Sequence, residues 1–164
     1  MNLRLPIRKF LLSLFFFGQA ILVVGQSKPD STSYNQVLAL LRQDQFENAF
    51  AILEELKEKY KTQEPDQKFV QLLLEVSIIL HQKGSYEAAL ANCFYIQEIC
   101  STYKKFELEE TESLLEVASI YYFLDLTNLS LEYTNRAFDK ARRNGFKEQL
   151  AAAFNKFGLY YEKT

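Results

Sequence analysis

The feature that most constrains this chain is a recurrence. Three stretches share one plan: YNQVLALLRQDQFENAFAILEELKEKY at 34–60, LLEVSIILHQKGSYEAALANCFYIQEI at 73–99, and LLEVASIYYFLDLTNLSLEYTNRAFDKAR at 114–142. Each begins with apolar residues at helical spacing, breaks at a short polar turn, and resumes the same spacing, which marks two amphipathic helices folded into a hairpin. Such a hairpin cannot bury its apolar face alone, and stacking the next copy against it supplies the missing cover. The recurrence therefore predicts a single all-α stack, with helices near 31–43, 46–61, 66–83, 86–104, 108–124, 127–144 and 147–162. Composition agrees: three Pro, five Gly and no Trp leave too few turn residues for an all-β chain.

The second copy states the hairpin chemistry most clearly. In GSYEAAL, Gly84 can take the left-handed conformation that ends a helix, Tyr86 fills the gap between the two helices, and Ala89 keeps their crossing narrow. The corresponding residues are Asp44, Phe46 and Ala49 in the first copy and Asp125, Thr127 and Ser130 in the third.

This pattern resembles the tetratricopeptide repeat family. The family's first-helix signature (large apolar, then Leu-Gly, then aromatic) is matched by Leu73, Val76-Ser77 and Leu80, and again by Leu114, Val117-Ala118 and Tyr121. Ala137 fills the late small position of the third copy; Leu56 and Ile96 stand there in the others. The period is 40 to 41 residues rather than the family's ~34, no copy has the closing Pro, and longer second helices and loops would absorb the difference. The resemblance implies a right-handed superhelical solenoid of antiparallel helix hairpins, with repeats at about 33–65, 66–106 and 107–146. The stretch LAAAFNKFGLYYEKT places Phe154, Phe157-Gly158 and Tyr161 in register with Leu114, Val117-Ala118 and Tyr121. Residues 147–164 thus read as the first helix of a fourth repeat, and the expectation is an array cut short there.

The N-terminus reads as an address. MNLRLPIRK is basic, FLLSLFFFGQAILVVG at 10–25 is nearly all apolar, and Val23 and Gly25 stand where a signal peptidase reads. The apolar run is shorter than the ~20 residues that span a bilayer. A cleaved signal peptide at 1–25 and a linker at 26–32 are expected, with an uncleaved membrane anchor as the alternative. Export then places the protein in the periplasm or medium. Without residues 1–25 the chain holds 16 basic against 21 acidic residues, a net charge of −5. An acidic chain lacking a basic stripe is a poor nucleic-acid binder, and Lys140, Arg142 and Arg143 read instead as a favourable end to a helix.

Catalytic chemistry is thin. His81 is the one histidine, and it precedes a helix-ending glycine, where free carbonyls can satisfy it. Cys93 and Cys100, seven residues apart on one helix, are roughly 10 Å apart and cannot pair with each other. They read as buried thiols, Cys100 being the better candidate for an exposed one linking two chains. The pairs Glu54-Glu55 and Glu109-Glu110 read as solvated faces. There is no phosphate-cradling glycine loop and no ligand spacing for a metal; a non-enzyme without cofactors is expected.

The family resemblance implies that first helices line a concave, partner-binding face. By register that face comprises Leu74, Ile78, His81, Leu115, Ser119, Tyr122, Phe123, Asn155 and Leu159, apolar and aromatic with little charge. The Lys, Arg and Asn grip that some members close on a peptide carboxylate is not carried over. The alternative is that these residues are core in a tightly wound stack. The expected partner is a protein or peptide. Exported arrays of this kind resemble the sensory N-terminal halves of bacterial membrane-bound regulators. Against that stands a self-contained structural protein of the cell envelope, whose last helix would act as a cap or self-associate.

Overall fold

A computed structural model describes residues 31–163. The signal-peptide and linker expectations for 1–30 lie outside that range. Seven α-helices fill it: α1 Ser31–Arg42, α2 Phe46–Lys61, α3 Gln67–Gln82, α4 Tyr86–Thr102, α5 Glu107–Phe123, α6 Thr127–Asn144 and α7 Lys147–Lys163. Among the described residues there is no strand, so the all-α class stands.

Three of the turns are built alike. Asp44, Gly84 and Asp125 hold φ of 59°, 76° and 57°. The residue after each donates its backbone N–H five residues back, Gln45 to Leu40, Ser85 to Leu80 and Leu126 to Tyr121, at 2.8–2.9 Å. This is the Schellman closure, which satisfies carbonyls that the helix end would otherwise orphan. Asp tolerates the left-handed region better than most residues with a Cβ, so an aspartate can do at two turns what glycine does at the third.

The next helix then crosses its partner on a small residue. Ala49, Ala89 and Ser130 are all buried. The Ser130 hydroxyl also donates to the Ala118 carbonyl at 2.8 Å, so its polarity is satisfied inside the crossing.

The odd-numbered helices lie side by side: α3 packs on α1, α5 on α3 and α7 on α5. The even-numbered helices cover their other side, α4 against α3 and α5, and α6 against α5 and α7. The main core runs from α1 through α5 and includes Val37, Leu53, Phe69, Leu73, Leu80, Ile96 and Ile120. A smaller cluster of Leu114, Leu115, Ala137 and Ala153 joins α5, α6 and α7.

Two details depart from expectation. The helix foreseen at 86–104 ends at Thr102; Tyr103 turns extended and a 3₁₀ turn, Lys104–Phe106, carries Phe106 into the core before α5 begins. The α2–α3 corner is locked by a relay. The Tyr34 and Tyr60 hydroxyls lie 2.9 Å apart, Tyr60 donates to Asp66 Oδ2 at 3.0 Å, and Asp66 Oδ1 caps α3 by accepting from Phe69 N at 2.8 Å. Burial pushes both tyrosine pKa values up, which keeps the hydroxyls protonated as donors.

Both cysteines are free and buried. Burial pushes each thiol up to about 12. The reading of Cys100 as an exposed, chain-linking thiol is thereby overturned: it packs against Phe106 and donates weakly to that residue's carbonyl. Glu109-Glu110 is not a solvated pair either. Glu109 is buried and accepts from Gln67 at 3.1 Å, while Glu110 and Glu107 together hold Lys140. Lys140 thus ties α6 to α5 in addition to any effect on its own helix end.

Candidate functional site

Because α3, α5 and α7 run side by side, residues one turn apart on each helix face a common space. Leu74 and Ile78 of α3, Leu115 and Ser119 of α5, and Ala152 and Lys156 of α7 enclose a cavity of about 290 Å³. Glu112, Glu116, Glu148 and Gln149 complete its walls. The floor is aliphatic and the walls are charged. Three carboxylates face one ammonium, a formal surplus of two acidic groups.

Glu112, Glu116 and Lys156 are individually held. Glu116 Oε1 lies 2.7 Å from His81 Nδ1, bridging α5 to α3. The His81 ring packs on Tyr86 and meets Phe123 edge-on at 5.0 Å. Glu112 accepts from Gln149 Nε2 at 3.0 Å. Burial pushes the Glu112 pKa up, against the lowering by that hydrogen bond, and the charges of Glu109 and Glu148 add to the rise.

Lys156 is the unusual member. Its ammonium donates to the Ser119 hydroxyl and makes no ion pair among the described residues. Burial pushes its pKa down, opposed by the charge of Glu116. A desolvated cation on a neutral acceptor is costly, and an aspect of the site the sequence had not suggested.

The residues expected on the concave face divide into three groups. Leu74, Ile78, Leu115 and Ser119 line the cavity. His81, Tyr122 and Phe123 form an aromatic cluster, with Tyr122 and Phe123 edge to face at 6.1 Å. Phe123 is one of the most exposed large apolar side chains. Asn155 and Leu159 are exposed on α7 and stand outside the cavity lining; their neighbours Ala152 and Lys156 take that place. His81 Nδ1 meets Glu116 of the adjacent helix rather than a carbonyl of its own helix end.

Glu112, Glu116, Gln149 and Lys156 escaped the sequence reading. Their partners are 35 to 37 residues away, nearly one repeat. That offset is the available signal: polar residues at matching register positions in consecutive first helices meet across the layer. Among the described residues, no group of three or more His, Cys, Asp or Glu could hold a metal ion, and no helix is long and apolar enough to cross a membrane. Comparisons with family models, curated proteins and solved structures return no match.

Proposed function

We propose that this is an exported, non-catalytic helical-repeat scaffold of tetratricopeptide-like architecture, whose layer of first helices binds a protein or peptide segment. The observation that carries the reading is the three-helix cavity: an aliphatic floor within carboxylate walls, next to an aromatic cluster of His81, Tyr122 and the exposed Phe123. An apolar pocket with a few fixed polar groups is the usual form of a recognition site. Export is supported by the N-terminal residues alone, and the repeat architecture by the shared turns and small crossing residues. The surplus of carboxylates in the cavity favours a segment that combines an apolar anchor with a Lys or Arg. A place in the outer, sensory part of a signalling protein fits a scaffold of this kind.

The test is a selection of displayed random peptides against the full chain. Enrichment should yield an apolar residue beside a basic one. Binding of the enriched peptides should fall at least about tenfold in Ile78→Glu, which puts a charge on the apolar floor. Glu148→Lys should weaken the basic peptides specifically. Enriched sequences without a shared pattern, or binding unchanged by both substitutions, would overturn the reading.

A further inference from the structure

Among the described residues, a face of α7 is open where the matching face of α5 is closed. In α5, Leu114, Val117 and Ala118 are buried and α6 packs across them. Forty residues on, the same register positions are Phe154, Phe157 and Gly158, and Tyr161 follows at the position of Tyr121. Phe154 is 59% exposed and Tyr161 72%. Phe138 of α6 meets Phe154 and Phe157 edge to face at 5.3 and 5.8 Å, so one border of this face is an ordered aromatic ridge.

We propose that this face of α7 pairs, antiparallel, with α7 of a second copy of the chain. Ala151, Phe154, Gly158 and Tyr161 are all exposed and follow one another at spacings of three, four and three. That is the spacing of a two-helix seam. Sizes alternate small, large, small, large. About a two-fold axis through position 156, Phe154 falls opposite Gly158 of the second copy and Tyr161 opposite its Ala151. Each ring then meets a residue with little or no side chain, the complementarity an isologous interface requires. A parallel pairing would instead set Phe against Phe and leave Ala against Ala.

Gly158 supports the same arrangement. A Cβ there would meet nothing within 4 Å, so nothing among the described residues requires glycine in mid-helix, where it costs about 1 kcal/mol relative to alanine. A ring arriving from a second copy does require it.

Charge selects the direction. Lys147 and Glu162 lie exposed at opposite ends of α7 and neither is in an ion pair within the described residues. Antiparallel pairing brings each Lys147 towards the Glu162 of the other copy; parallel pairing would bring like charges together.

Sedimentation equilibrium on the full chain should show reversible dimers. Phe154→Glu and Gly158→Leu should each weaken them about tenfold to a hundredfold, the effect of losing one buried ring or its socket. Both positions face solvent, so far-UV circular dichroism should stay unchanged. Any association through residues 1–30 would persist in both variants.

Register is read by cysteine cross-linking. Within one helix, positions 151 and 161 are roughly 15 Å apart and cannot bridge, and the native thiols are buried. Ala151→Cys and Tyr161→Cys chains should therefore form a disulfide when mixed, and little when oxidised separately. A monomer at every concentration, a dimer indifferent to both substitutions, or Tyr161→Cys linking to itself as readily as to Ala151→Cys would each overturn the pairing. A monomer would mean that the face takes a different occupant.

Discussion

The corresponding faces of α5 and α7 form a natural internal comparison. Both carry a large apolar residue, a second one three positions on, a small residue beside it and an aromatic after that. In α5 this set is core, with Leu114, Val117 and Ala118 sealed beneath α6 and Ser130 bonded to the backbone at Ala118. In α7 it is surface, with Phe154 and Tyr161 largely in water. The pattern specifies a helix with a face fit for burial; a neighbouring element decides whether burial happens. The energetic role of each side chain follows the neighbour more than the pattern.

The strongest way to break this comparison is to truncate both large residues. Leu114→Ala removes methyl groups from a closed site and should cost about 2–5 kcal/mol, whereas Phe154→Ala should cost less than about 1 kcal/mol. Urea unfolding followed by circular dichroism, at protein concentrations low enough to exclude association, measures both. Equal losses would mean that α7 is buried in solution by something other than its own chain's α6.

Filling the small position probes the same difference from the other side. Ala118→Leu forces extra volume into the α5–α6 crossing and should cost about 1–3 kcal/mol, while Gly158→Leu has open space to enter and should leave monomer stability unchanged or raised. A milder version is Gly158→Ala. It should stabilise the monomer by about 0.5–1 kcal/mol through helix propensity alone, read as a higher urea midpoint at constant slope.

The smallest effect concerns Lys156, which occupies the register position of Glu116. Its folded pKa is lowered, so folding disfavours the protonated form. Stability from this group should rise as pH climbs from that lowered value towards the ordinary 10.5. Lys156→Met should raise Tm modestly at neutral pH, and the advantage should shrink as pH approaches the ordinary lysine value. A variant whose advantage is independent of pH would show that packing, not charge, sets the effect.

Much of the fold was legible. Helix limits fell within a few residues of expectation, because 3.6-residue periodicity and turn residues act locally. Asp44, Gly84 and Asp125 were placed at turn centres from spacing, and their positive φ values fit that placement. The break at Tyr103 was not legible, since helical periodicity does not report the 3₁₀ turn that buries Phe106 between α4 and α5. Of the site, the aliphatic positions Leu74, Ile78 and Leu115 could be found by register. The charges could not. A glutamate on an amphipathic helix looks solvated until its neighbour is known, and buried Glu109 and half-buried Glu112 are held by Gln67 and Gln149 from other helices.

The sequence by itself thus determined the elements: helix type, length, turn chemistry and which face of each helix is apolar, all of which depend on residues within one or two turns of each other. Tertiary structure alone decided which polar groups meet and which apolar faces are closed. Tyr34 reaches Tyr60 across 26 residues, His81 reaches Glu116 across 35 and Lys156 reaches Ser119 across 37. Those pairings depend on the offset between stacked helices, which depends in turn on how side chains from different copies fill the space between them. The same offset closes the face of α5 and leaves that of α7 open, because α6 lies across one and, among the described residues, no helix lies across the other.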